Sequence, residues 1–261
     1  MNIQSIVIIG AGNMAWHLGH ALKIAGLEIK QVFSRKLEKA IQLADSLDGQ
    51  AINDLQSIDQ HSDLYIIAVS DQAIAAVSQQ LVLRLSPNVM IVHTSGATPS
   101  TIFDAHFLRK GIFYPLQSLS KDKKTDFTKV PICVHANLQE DAENLYQLGR
   151  RISHQVAYID DQQRAVLHIA AVFVNNFSNY LFHVGSEITK DANVPFELLL
   201  PLIQETVQKI KDQPPQKMQT GPAIRDDQNT IDRHLAFLEN YPSFAEVYQL
   251  ISRLIPNMNS K

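Results

Sequence analysis

The chain has 261 residues, 45% of them apolar and 19% charged, with a formal net charge of −3. That is core material for one large domain or two ordinary ones, and it excludes a disordered chain or one built to bind nucleic acid through a basic surface. The single cysteine, Cys133, excludes an intrachain disulfide and suits a reducing compartment. The first strand pattern begins too close to Met1 for a signal peptide, and no uninterrupted apolar run reaches the ~20 residues of a membrane helix. A cytoplasmic protein with neither nucleic-acid nor membrane partners is expected.

Taken in chain order, the first element is a β-branched run, Ile6-Val7-Ile8-Ile9, ending in Gly10-Ala11-Gly12-Asn13-Met14-Ala15. A helical pattern follows at once, carried by Met14, Leu18, Ala21, Leu22 and Ala25, with Gly26 placed as a C-terminal glycine. Strand, glycine turn and helix in that order are the setting of a dinucleotide fingerprint. Gly10 permits the tight turn, Gly12 lets backbone approach a pyrophosphate, and Ala15 allows close helix–strand packing. The helix N-terminus then offers free N–H groups to phosphate. Gly10 to Ala15 are therefore cofactor-binding candidates. The bland alternative is a glycine-rich turn of any α/β protein.

A second strand is expected at 29–33, and the residues after it meet the adenosine ribose in such folds. They are Ser34, Arg35 and Lys36, with no acid before Glu38. A carboxylate would repel a 2′-phosphate, whereas a guanidinium pairs with one, so NADP(H) is expected over NAD. Alternatively, Arg35 and Lys36 merely open the next helix. A helix over 36–47 and a short strand over 50–52 follow. Residues 63–69 form a continuous apolar run suited to a strand buried on both faces. Ser70 and Asp71 stand as N-caps of a helix over 72–84. Another strand covers 89–92. Ligands bind at the carboxyl ends of parallel strands, so Val69, Ser70, Ser95 and Gly96 are expected to wall a nicotinamide pocket. His93 suits a hydrogen-bonded core position as well as a catalytic one.

A helix is expected over 100–109, then a strand into Pro115, which favours an edge position or an exit into a loop. Residues 121–129 read as a solvated loop. Strands at 130–135 and 155–159 flank a helix at 138–151. Past Asp160 the texture changes: residues 162–190 have no turn signal but Gly185, and apolar side chains cover most of the circumference. Such a helix must be buried all round, which a small helical domain struggles to do alone, so a homodimer through the C-terminal helices is expected. Further helices are read from Pro195, with a kink at Pro201 and a stop at Pro214-Pro215, after an Asp226 or Asp227 cap, and over 242–254. The domains are then 1–159 and 160–261.

Gly-Ala-Gly-Asn-Met-Ala at 10–15 resembles the opening of pyrroline-5-carboxylate reductases. The layout resembles the 6-phosphogluconate dehydrogenase-like group, with an all-helical C-terminal domain. His93-Thr94-Ser95-Gly96, Tyr114-Pro115-Leu116-Gln117-Ser118 and Thr220-Gly221-Pro222-Ala223-Ile224-Arg225-Asp226 together resemble a bacterial Rossmann-like family whose C-terminal domain has no assigned function. The resemblance implies an α/β Rossmann domain followed by an all-α domain. It also implies an NADP-dependent oxidoreductase acting on a small 2-oxo acid or imine, some relatives serving as ketopantoate reductases. β-Hydroxyacid dehydrogenases place a proton-donating lysine one turn before an Asn-Asn pair; here the pair is Asn175-Asn176 and the lysine position is Val172. His168, seven residues before Asn175 and so on the same face of a regular helix, is the candidate donor, with Asn175 orienting the substrate oxygen. Ser95 and Gln117 are expected near the substrate, and Arg225 to hold its carboxylate, or else to pair with Asp226, Asp227 or a partner subunit. No metal site is expected. The competing reading is a non-catalytic NADP-binding sensor, for which the missing lysine speaks.

Overall fold

The structure, a computed structural model, describes residues 3–258. Its strands are β1 (Ser5–Ile9), β2 (Glu28–Phe33), β3 (Gln50–Ile52), β4 (Leu64–Ile67), β5 (Met90–His93), β6 (Arg109–Pro115), β7 (Ile132–Ala136) and β8 (Val156–Tyr158). They form one sheet in the order β3-β2-β1-β4-β5-β6-β7-β8. All neighbours are parallel except β6 and β7. This is a Rossmann sheet extended by an antiparallel step. Every residue of β1 and β4 is buried, as strands covered on both faces must be. Alternation divides the core in two: Ile6 and Ile8 pack with Leu18, Leu22 and Leu43 on one face, Val7 and Ile9 with Tyr65, Ile74 and Phe107 on the other.

α1 (Asn13–Ile24), α2 (Leu37–Leu47) and α4 (Gln139–Arg150) cover the first face, and α3 (Ile74–Val82) the second. α1 closes as its sequence predicts. Gly26 has φ +79°, its N–H donates to Lys23 O at 2.9 Å, and Leu27 N–H donates to Leu22 O at 3.1 Å.

Three local expectations need correction. Residues 100–109 hold only a 3-10 turn, Ser100–Ile102, because their backbone donors are taken elsewhere: Ser100 N–H by Asp161 and Asp104 N–H by Ser78 Oγ at 2.9 Å. Ser70 precedes a 3-10 turn (Asp71–Ala73) and its hydroxyl caps nothing there. Pro201 does not kink a helix; it lies in the first turn of α7 (Leu200–Asp212), where its missing N–H is harmless. Pro115 is the last residue of an interior strand and leads into the loop.

After β8, α5 (Asp161–Ala171), a π-helical segment (Val172–Phe177) and α6 (Ser178–Asp191) run on as one 31-residue helix. Its best 18-residue window has a mean hydropathy of 1.3, so by length and composition alone it could cross a membrane, contrary to the reading of the linear sequence. Its first turn, however, holds a buried arginine tied into the first unit, described below. The chain divides into two compact units inside this helix, between Asn175 and Asn176. In the second unit, Pro215 opens the short α8 (Pro215–Met218), Asp227 caps α9 (Gln228–Phe237) by accepting from Thr230 N–H at 3.1 Å, and α10 (Pro242–Leu254) ends the regular structure.

Candidate active site

A cleft of about 760 Å³ opens at the carboxyl ends of β1 and β4, where the strand order reverses. Gly10 sits at its floor with φ +125°, and a Cβ on it would lie 2.2 Å from Ala68 O. Only glycine lets the two loops lie so close. Gly12 precedes α1 in extended conformation; no side chain caps this helix and no acid occupies its first turn. A Cβ on Gly12 would meet nothing within 4 Å, so backbone faces open space. Uncommitted N–H groups, the positive end of a 12-residue helix and a side-chain-free approach make a cradle for a pyrophosphate. Ala15 is fully buried beneath it.

Phe33, Ser34, Arg35, Lys36 and Lys39 line one end of the cleft, Ala68, Val69 and Ser70 the other. No Asp or Glu is among the lining residues. Ser34 Oγ accepts from Lys36 N–H at 3.3 Å, which curls the turn after β2. α1 also secures the segment after β6. Asn13 Nδ2 donates to Leu119 O at 2.9 Å, His17 Nε2 to Ser120 O at 2.8 Å, and Lys121 Nζ lies 4.8 Å over the Trp16 ring.

A second polar cluster lies at the carboxyl end of β5, whose following residue Thr94 donates back to Ile67 O. His93 is fully buried in the strand. Ser95 N–H donates to its Nδ1 at 3.2 Å, so its proton is on Nε2, 3.4 Å from Pro99 O. Burial pulls its pKa down to about 4, against a smaller opposing effect of the Pro99 carbonyl, so at neutral pH it is an uncharged core residue. Ser95 Oγ accepts from Ala97 N–H and Thr98 N–H and bonds Thr98 Oγ1, which closes its own turn. Arg164, only 1% exposed, donates Nη1 to Asp161 at 2.7 Å and Nη2 to Thr98 O. Asp161 in turn accepts from Ser100 N–H and Oγ, both at 2.8 Å. Burial alone would raise the Asp161 pKa; the bonds from Arg164 and Ser100 outweigh it and hold the carboxyl below its usual range. The loop after β5 is thereby locked to the start of α5. One turn further along α5, His168 Nδ1 lies 3.5 Å from the hydroxyl of Tyr114 on β6.

Two stretches match known families: residues 5–96 that of the NADP oxidoreductases, coenzyme F420-dependent, and residues 130–255 a domain of unknown function (DUF2520). A Bacteroides fragilis protein solved as a "putative NADP oxidoreductase" is 38% identical, with 98% of each chain covered and a TM-score of 0.92. The chain belongs to this oxidoreductase family. A Thermotoga maritima protein (20% identity, 98% of this chain and 100% of that one, TM-score 0.72) shares the fold. So does a pyrroline-5-carboxylate reductase from Coxiella burnetii (15%, 97% and 99%, TM-score 0.61). No curated protein matches the sequence. A nicotinamide dinucleotide-binding fold and membership of an oxidoreductase family are thus established.

Of the residues singled out from sequence, Gly10 to Met14, Ser34 to Lys36, Val69 and Ser70 line the cleft together. Ser95 and Gly96 do not; Gly96 lies instead against Tyr114 and His168. Gln117 is exposed and its Oε1 accepts from Ser118 N–H at 2.9 Å. Asn175 is exposed within the π-helical segment, whose wider turn breaks the seven-residue alignment with His168 that a regular helix would give. Arg225 is exposed in the second unit, in the turn that Asp227 N–H closes on Pro222 O. Tyr114, Asp161 and Arg164 escaped the sequence reading as site residues. The signal for Arg164 was present: an arginine inside an apolar helix, one turn before the histidine. Among the described residues no His, Cys, Asp and Glu cluster could hold a metal.

Proposed function

We propose that this protein is an NADPH-dependent reductase of a small carbonyl or imine acid, of the 2-oxo acid reductase type. The observation that carries the reading is the cleft end formed by Ser34, Arg35, Lys36 and Lys39 with no carboxylate among its walls. A 2′-phosphate gains paired, charge-assisted hydrogen bonds there, while a bare ribose finds no acid to accept from its hydroxyls. Gly10 to Asn13 and the start of α1 hold the pyrophosphate. Bound there, the dinucleotide supplies the hydride. Hydride arriving at a carbonyl carbon leaves negative charge on oxygen, and His168 holds the proton that this oxygen takes.

The test is a fluorescence titration with NADPH and NADH. NADPH is expected to bind on the order of 10–100-fold more tightly, with the preference lost in Arg35→Ala. Equal affinities would sink the NADPH assignment, and binding of neither the reductase itself. With 2-oxo acids screened as substrates, His168→Ala should keep NADPH affinity and lose roughly 100-fold or more in turnover. NADPH binding without turnover of any such acid would favour the sensor.

The assembly proposed with this function is a cytoplasmic homodimer joined through the helical unit. Leu198, Leu202 and Leu254 are among the large apolar side chains that unit leaves exposed, more than a monomer usually shows on one small unit.

A further inference from the structure

The contact between Tyr114 and His168 has no place in the reading of the linear sequence, and three observations single it out. Tyr114 is the last residue but one of β6, nearly buried, with its hydroxyl 3.5 Å from His168 Nδ1. The two rings meet edge to face, 6.5 Å between centroids and 65° between planes. Gly96 fits this pair: a Cβ there would lie 2.6 Å from His168 Nδ1 and 2.7 Å from the Tyr114 hydroxyl. Any side chain at 96 would drive into the contact, so the loop after β5 passes the two rings only as glycine. The Arg164–Asp161–Ser100 bonds hold that loop and the first turn of α5 in register. Among the described residues nothing in the protein bonds His168 Nε2.

We propose that Tyr114 is the positioning residue of His168, accepting the Nδ1–H proton on its hydroxyl oxygen so that Nε2 alone exchanges the proton of the reaction. The proposal deepens the reductase reading and rests on it for the identity of the proton's acceptor. The chemistry requires this direction of the bond. The acid form is the imidazolium, protonated on both nitrogens. As hydride from the reduced dinucleotide forms the new C–H bond, the Nε2–H bond breaks and the substrate oxygen gains the O–H bond. Neutral imidazole remains, with its proton on Nδ1, and solvent returns a proton to Nε2. Were Nδ1 bare instead, loss of the Nε2 proton would leave an imidazolate, far too basic for turnover at neutral pH. A hydroxyl can accept this bond while keeping its own proton. Burial supports that state by pushing the phenol above its usual value, so it stays protonated.

The test is nitrogen-15 NMR of ring-labelled protein, with the His168 signals assigned by their loss in His168→Gln and recorded without and with NADPH. In neutral His168 the Nδ1–H tautomer should dominate in the native protein, and Tyr114→Phe should move it to the Nε2–H form that free imidazole prefers. Gly96→Ala, whose Cβ is driven against the His168 Nδ1 and Tyr114 hydroxyl contact while both residues are kept, should shift the same signals in the same direction. Tyr114→Phe should lower kcat by roughly 10-fold with KM within about twofold, since the group tunes proton transfer rather than binding. An Nε2–H tautomer in the native protein, or an unchanged one in Tyr114→Phe, overturns the proposal. If the reductase reading fails but the tautomer behaves as stated, the pair stands as a positioned acid whose substrate oxygen belongs to another reaction.

Discussion

The two units of the chain bury their apolar residues on opposite terms. In the first, every residue of β1, β4 and β5 is buried, because a sheet covered on both faces gives each side chain a neighbour from its own chain. In the second, none of the residues of α6, α7, α9 or α10 is buried, though all four carry apolar stripes. Ala223 and Leu238 are its buried apolar residues, and an apolar groove of about 240 Å³ lies between Leu181, Ile188, Phe244 and Ile251. The first unit's hydrophobic stabilisation is thus internal. The second carries apolar area that its own chain does not remove from water, and roughly 25 cal/mol per Å² of it is available to whatever covers it.

The contrast can be broken or sharpened by experiment, beginning with the largest effect. Phe113→Ala, in the core of the first unit and fully buried, should cost about 3–5 kcal/mol in urea unfolding; a loss under 1 kcal/mol would mean that this core is loosely packed. His93 gives the next effect. Its native pKa of about 4 lies below that of an unfolded histidine, so the unfolded state binds more protons between roughly pH 6.5 and 4. Stability should be fully present above that window and fall as pH drops through it, by up to about 1.4 kcal/mol per unit, and His93→Phe should flatten the slope. Asp161 acts at lower pH. Its depressed pKa adds stability that is present above the ordinary carboxylate value and lost as pH falls through the native one, so Asp161→Asn should remove part of the acid limb. The smallest effect belongs to the second unit. Leu202→Ser, at a residue 64% exposed, should change monomer stability by no more than about 0.5 kcal/mol, yet weaken self-association in sedimentation velocity. A native protein that stays monomeric at high concentration would leave the apolar helices without the proposed cover.

What could be read from sequence follows the range of the forces involved. β1, the glycine turn and α1 are specified by neighbours a few residues apart, as is α10 from its Pro242 start, and each lies where its pattern predicts. The cleft at the end of β1 was legible for the same reason, because one local motif supplies Gly10 to Met14 of its lining. Residues 100–109 were misread since their backbone donors are taken by Asp161 and Ser78, 61 and 26 positions away from the residues they bind. The π-helical segment left no mark in a periodicity that assumes 3.6 residues per turn, so Asn175 was aligned with His168 as on a regular helix. Tyr114 and His168 are 54 residues apart, so only the sheet brings them together. The apolar excess on the long helix was legible, but not that its own chain would leave it open.

The order of the strands also bears on how the molecule is made. Taken in the order of synthesis, β2 adds to one edge of β1, β3 to β2, and β4 to the other edge of β1; each of β5 to β8 then joins the strand before it. No strand is ever inserted between two that are already paired. A chain emerging from the ribosome can extend this sheet outward without unpairing any ladder it has closed, and β1, the earliest of these eight strands, is the template on which both halves grow.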